Sequence, residues 1–234
     1  MSLSTGRGPL SANRAGRFNK AIPGDLVYVE PFPRRVRGVT GGVVVLDSER
    51  VLLVHRQGQP PAFAFPVGDA AGLRNEPEAE AAGYVRVPWG AVDEWYEEEE
   101  QVFMHPRNPY HRVDCVPTAR RLRVEAFGGV LVDTTATIGV YETSLAPRLY
   151  VSRDELRTDV LRPSSTTTYC PYKGTATYWS AQRGDDSLTD VAWSYEAPNA
   201  ECGAIRGLLC FDENVITVHA ELPEWPGRTE TLDA

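Results

Sequence analysis

The densest run of chemically capable side chains lies between Thr166 and Glu196. Thr166-Thr-Thr-Tyr-Cys-Pro-Tyr-Lys-Gly-Thr-Ala-Thr-Tyr-Trp-Ser180 is followed by Asp190-Val-Ala-Trp-Ser-Tyr-Glu196. Lys173 stands between an aromatic residue and a glycine. A lysine held on a tight aromatic-lined turn can be desolvated, which suits it to act as a general base or amine nucleophile. The same lysine can equally hold an anionic group or lie solvated on a hairpin. Cys170 would need a nearby cation to act as a thiolate, and buried cysteines more often behave as small hydrophobes. In an extended strand Cys170, Tyr172 and Gly174 share one side, so Lys173 is expected to face away from Cys170 unless a turn intervenes. Trp179, Trp193, Tyr178 and Tyr195 can form an aromatic wall for a planar or cationic ligand, or simply pack as core. Upstream of Tyr150, Glu142 and Arg148 offer opposite charges. They could clamp a ligand carboxylate, pair with Lys173, or form an exposed ion pair of little energetic value. If there is catalysis, acid–base or amine chemistry at Lys173 is expected, with Glu142 or Tyr172 assisting. Arg148, Tyr150, Cys170, Trp179, Trp193 and Tyr195 are the expected ligand-binding set.

Other chemistries find less support. His105, Arg107, His111 and Arg112 sit in a Pro-rich stretch, and the prolines between the two histidines remove helical metal-ligand spacing. This stretch reads as a lock between two halves of the chain. The four cysteines, Cys115, Cys170, Cys202 and Cys210, include no CxxC pair, so neither a structural zinc site nor a disulfide framework is expected. Walker, GxGxxG, GxSxG and HExxH motifs are absent. Gly184-Asp-Asp-Ser187 reads as a hairpin turn, not a magnesium site, and Glu97–Glu100 as a solvated face. No metal and no cofactor are expected.

The elements that must carry these residues are β-strands. Leu122–Val124, Val130–Val132, Ile138–Tyr141, Leu149–Val151, Thr175–Ser180, Val191–Tyr195 and Leu208–Phe211 are short β-branched or aromatic runs. Gly, Pro, Asp and Asn punctuate them as in sandwiches and barrels. Only Ala200–Arg206 and Trp89–Tyr96 have room for a short helix. Gly41-Gly42 and Gly128-Gly129 sit where hairpin turns would feed the next strand.

An internal repeat sets the larger plan. Aligning Asp47 with Asp133 brings Val51-Leu-Leu-Val54 onto Thr137-Ile-Gly-Val140 and Pro61 onto Pro147. Further on, Gly83-Tyr-Val-Arg-Val87 resembles Gly207-Leu-Leu-Cys-Phe211. Residues 161–199 have no counterpart in the first copy. The chain is therefore expected to be mainly β, with two related small domains and few short helices. The expected segments are a flexible arm over 1–22, a shortened first copy over 23–100 and a linker over 101–117. A complete second copy over 118–222 and a tail over 223–234 follow.

The segments Thr166–Ser180 and Asp190–Glu196, together with Tyr141-Glu-Thr-Ser-Leu-Ala-Pro-Arg-Leu-Tyr150, resemble the bacterial family called domain of unknown function 427. Glu100–Asp114 is similar to the linker of its two-copy members, and the resemblance runs from about Val27 to Ala220. It implies a mainly β fold. Members are sometimes labelled nucleotidyltransferases, a label that the missing phosphate loop and converging carboxylates do not favour. The shortened first copy leaves a second, equivalent site unsupported.

Composition bounds the partners. The 234 residues carry a formal net charge of −8, which offers no electrostatic footprint for nucleic acid or anionic membranes. No apolar run reaches the ~18 residues of a membrane helix, and Met1–Asn19 lacks the apolar core of a secretory signal. A cytoplasmic protein with reduced thiols is expected. Its expected partner is a small molecule bound in the second copy, with binding alone and turnover both open. The alternative is a non-catalytic ligand-sensing or protein-interaction β-domain.

Overall fold

A computed structural model describes residues 3–157 and 159–222. They fall into two compact units that divide between His111 and Arg112. The protein is mainly β, as the punctuated β-branched runs require. Among the described residues, no helix is long and apolar enough to cross a membrane.

The first unit holds β1 (Val27–Phe32), β2 (Val36–Thr40), β3 (Val43–Ser48), β4 (Val51–Arg56) and β5 (Ala62–Pro66). After these come β6 (Glu76–Pro77), β7 (Tyr84–Arg86), β8 (Glu94–Glu97) and β9 (Glu100–Val102). One sheet has the order β1-β4-β5-β7-β6 and the other β3-β2-β8-β9. Alternate side chains of each sheet meet in one core, Leu53, Phe63 and Phe65 against Val36, Leu46 and Trp95. Gly41 and Gly42 take φ of +56° and +77° at the β2–β3 hairpin, the left-handed pair that a two-residue turn demands. Residues near the N-terminus pack on this unit: Ser4 and Thr5 are buried, and Gly58 N donates to Ser4 O over 2.7 Å.

The second unit holds β10 (Val113–Thr118), β11 (Leu122–Ala126), β12 (Gly129–Thr134), β13 (Thr137–Glu142) and β14 (Arg148–Val151). Then follow β15 (Leu161–Cys170), β16 (Gly174–Arg183), β17 (Asp186–Ser194), β18 (Leu209–Phe211) and β19 (Thr217–Ala220). A seven-stranded sheet has the order β10-β13-β14-β18-β17-β16-β15, and a three-stranded sheet the order β12-β11-β19. Leu122, Val124 and Val132 of the small sheet pack on Leu149, Val151, Leu209 and Phe211 of the large one. Strand alternation then sends Tyr150 and Cys210 to the opposite face, where a second cluster forms with Val113, Val140 and Ala176.

The two units share a plan. The order β1-β4-β5-β7 recurs as β10-β13-β14-β18, and β3-β2-β8 recurs as β12-β11-β19. A two-pronged Arg35–Asp47 pair on β3 has its counterpart in Arg121–Asp133 on β12, at the same spacing along the chain. Phe127 and Gly128, at φ of +52° and +70°, make the turn that Gly41 and Gly42 make in the first unit. What differs is that β15, β16 and β17 stand between β14 and β18 of the second unit, where the first unit has only the short β6 between β5 and β7.

Several local expectations need correction. Trp89–Tyr96 is not a helix: a single 3-10 turn at Trp89–Ala91 gives way to β8. The alternation that buries Trp95 and Glu97 but leaves Glu94 and Tyr96 partly exposed is a strand pattern. The short helix expected over Ala200–Arg206, by contrast, is present as a 3-10 helix over Ala200–Ile205. The Glu97–Glu100 run is not uniformly solvated, because the Glu97 side chain is only 2% exposed and bonds Arg34 Nη1 at 2.5 Å. Residues 101–117 include the end of β9 and most of β10, so both units draw strand from the Pro-rich stretch. The tail over 223–234 lies outside the described residues.

Candidate functional site

The face of the seven-stranded sheet turned away from the small sheet carries most of the sequence-nominated residues. β15 and β16 are joined by Pro171-Tyr172-Lys173, and Cys170 pairs with Gly174 at the base of this turn. Gly174 has φ of +97°, and a Cβ there would stand 3.3 Å from Ala197 O. Glycine is therefore required by both backbone and space. The turn is clamped from outside: Asn199 N donates to Lys173 O (3.1 Å) and Asn199 Nδ2 to Pro171 O (3.1 Å). Cys202, on the 3-10 segment, lies with its Sγ 3.7 Å from Tyr172 O.

This turn delivers Lys173 to Glu142, the last residue of β13, and Nζ donates directly to Oε2. The condition on which Lys173 would face away from Cys170, an extended stretch, does not hold here. The chain reverses at Pro171–Lys173, so simple strand alternation does not extend through it. The Lys173 and Glu142 side chains are 11% and 10% exposed. Two opposite charges so far from water require each other, because removing either leaves the other unpaired in a poorly solvated place.

Around the pair lies a polarizable, weakly acidic lining. All four cysteines are unbridged, and all belong to the cluster on this face, although they are scattered along the chain. Burial pushes the Cys202 and Cys210 thiols up to about 12 and raises Cys115 as well. Burial likewise holds the Tyr150 and Tyr195 phenols well above their ordinary range. These thiols and phenols stay neutral at physiological pH. Trp193 Nε1 donates to Tyr150 Oη over 3.0 Å, and Tyr178 packs beside Trp193 with centroids 6.4 Å apart. Tyr172 joins the same cluster. Arg148 lies over the Trp193 ring at 5.2 Å and reaches Glu213 at 3.8 Å, so it takes no part in the Lys173–Glu142 pair.

Lys173, Glu142, Tyr172, Arg148, Tyr150, Cys170, Trp193 and Tyr195 therefore gather on one face. Trp179 does not. It pairs with Ala192, one step out of phase with the Tyr178–Trp193 pair, and packs into the core between the sheets. There its Nε1 donates to Ser194 Oγ (3.0 Å) and the Arg153 guanidinium stacks at 4.1 Å. An aromatic wall shared by Trp179 and Trp193 is excluded by strand alternation. Sequence reasoning also missed Cys115, Cys202 and Cys210 as members of the site. For Cys210 a signal was present: it lies between Leu209 and Phe211, and alternation puts it on the face they avoid. His105 and His111 belong to the first unit.

Chemically, the Lys173–Glu142 pair sets an ammonium donor against a carboxylate acceptor, an arrangement that favours the charged form of each and suits holding a polar group of a ligand. Among the described residues, no group of three or more His, Cys, Asp or Glu is placed to hold a metal ion.

Residues 114–221 match the family model named NTP_transf_9, described as Domain of unknown function (DUF427). The match runs from β10 to just past β19, across the second unit. No curated protein matches the chain.

Proposed function

We propose, for a chain whose residues 114–221 match the DUF427 family model, that the second unit binds a small molecule on the Lys173–Glu142 face of its seven-stranded sheet. The observation that carries this reading is the pair itself, two nearly buried charges set among neutral thiols and phenols. Such a pair contributes little net stability compared with apolar residues of the same volume, so a role beyond packing accounts better for its presence. A ligand with a hydrogen-bonding carbonyl, hydroxyl or carboxylate group would engage Lys173 Nζ. Tyr172, Tyr195 and Trp193 would bound its apolar part, with Arg148 and Cys170 at the margin. If turnover follows binding, it is acid–base or amine chemistry at Lys173, and it requires a ligand that draws the ammonium off Glu142 so that its proton can leave, because the carboxylate holds it charged.

We read the first unit as a shortened copy of the second, supported by the common strand orders and the matched Arg–Asp pairs. It lacks β15 to β17 and carries Arg56 at the strand-terminal position that Glu142 holds in the second unit. The proposed site is therefore a property of the second unit alone. The name of the family model points to nucleotidyl transfer, and the residues gathered here do not favour that chemistry. The unbridged cysteines support a reducing, cytoplasmic setting.

The test is native mass spectrometry of the full chain purified without added ligand, beside a Lys173→Met/Glu142→Leu double variant that keeps the site apolar. Excess mass present in the wild type and absent from the folded double variant is expected. Excess mass that survives denaturation and maps to Lys173 would identify covalent turnover. Identical spectra for the two proteins would overturn the proposal and leave the pair a structural one.

A further inference from the structure

The first unit contains a cavity of about 350 Å³ that belongs to none of this. It is of the size that holds small organic ligands. Its floor is aromatic: Phe63 and Trp89 line it, and Trp89 stacks on Trp95 with centroids 5.3 Å apart and planes inclined by 24°. That stack fixes the indole, so an aromatic guest would find a surface already in place. Met104 closes the lining from the loop after β9. It is 62% exposed and holds a φ of +71°, a conformation uncommon for any residue with a side chain and often found where a binding surface is shaped.

The polar groups select the guest's charge. Arg86 already faces two carboxylates, donating to Glu76 Oε2 at 3.1 Å and forming an ion pair with Glu78 Oε2 at 3.0 Å. Arg74 lines the same cavity and, among the described residues, makes no hydrogen bond or ion pair. A guanidinium offers five donors in a planar fork that matches a carboxylate. Glu76 in the lining opposes a dianion, so a singly charged group is favoured over a phosphate monoester.

We infer that the first unit binds an aromatic monocarboxylate, its ring on the Trp89–Phe63 floor beside Met104 and its carboxylate on Arg74. This site is independent of the Lys173 face: it uses other residues, in the other unit.

The experiment is a titration of the full-length, ¹⁵N-labelled protein with indole-3-propionate and, separately, with its uncharged amide. Amide and indole N–H shifts are followed, and the Trp89 indole signal is identified by Trp89→Phe. Saturable shifts centred on Trp89 are expected, with the acid binding about tenfold or more tightly than the amide, the worth of a charge-assisted bond. Arg74→Ala, a change at an exposed residue, should bring the acid down to the affinity of the amide. Ala62→Phe, which fills the cavity, should abolish both, with its dispersed spectrum reporting that it folds. Equal affinity for acid and amide, a preference that survives Arg74→Ala, or no saturable shift at millimolar acid would each overturn the inference.

Discussion

Breaking the Lys173–Glu142 pair from one side should be costly, whereas removing both partners should not. In Lys173→Met the Glu142 carboxylate, only 10% exposed, loses the ammonium that faces it. An uncompensated buried charge costs about 3–5 kcal/mol, while apolar replacement of a whole buried pair is near neutral or stabilising. For a unit of this size each kcal/mol moves the midpoint by roughly 4 °C or more, so the single variant should melt at least ~12 °C below the wild type. Glu142→Leu, which strands the lysine, should show a loss of the same order. The double variant should return to within ~1 kcal/mol of the wild type, giving a coupling energy of at least ~5 kcal/mol. Urea unfolding followed by near-ultraviolet circular dichroism reads the second unit through Tyr150, Tyr195 and Trp193, which pack on this face. A Lys173→Met variant losing less than ~1 kcal/mol would mean that water reaches the pair, as at an exposed ion pair. The account of the site as a desolvated charge pair would then be wrong.

Three further outcomes follow from the same structure. Gly174→Ala should lower stability by at least about 1 kcal/mol through its left-handed backbone, and by more than Gly184→Ala. The latter also has positive φ but meets open space where Gly174 faces Ala197 O, and differential scanning calorimetry of the two variants isolates that contact. Thiols held near 12 carry roughly a thousandfold less thiolate at pH 8 than ordinary ones. Cys202 and Cys210 should accordingly alkylate only after unfolding, as read by peptide mapping, and rapid native labelling of Cys210 would contradict its burial. The Arg121 guanidinium holds the Asp133 carboxyl down at about 2, with Arg123 and Arg157 helping. A depressed carboxylate stabilises above its unfolded value, and the contribution is lost as pH falls from about 4 to about 2. Asp133→Asn should flatten that part of the acid-unfolding curve, and an unchanged acid limb would refute the assignment.

The strands were legible where their signal is local. Runs such as Ile138–Tyr141 and Leu149–Val151 alternate β-branched or apolar residues between turn formers, and each lies within a strand of the structure. β15 is not legible in this way, because Leu161–Cys170 is rich in Ser and Thr and its burial follows no two-residue period. Trp89–Tyr96 has room for a short helix in sequence terms because a short apolar stretch has the same composition in either form. Trp95 takes a strand through its pairing with Gly38 on β2 and with Val102 on β9.

Residue types and spacings were enough for the β architecture, for the matching runs around Asp47 and Asp133, and for the concentration of chemically capable side chains around Lys173. All three rest on residue types and spacings within short stretches. Tertiary structure alone decided which of those residues meet. Glu142 is 31 residues from Lys173 along the chain, and the three-residue turn at Pro171–Lys173 brings them together. Four cysteines without sequence spacing converge because separate strands and one 3-10 segment point them to the same face. Trp179 and Trp193, equally plausible as ligand contacts in the sequence, part company because cross-strand register sends one to the core and the other to the site. A one-residue phase exchanges those destinations, and register is set by pairing between strands that local composition does not encode.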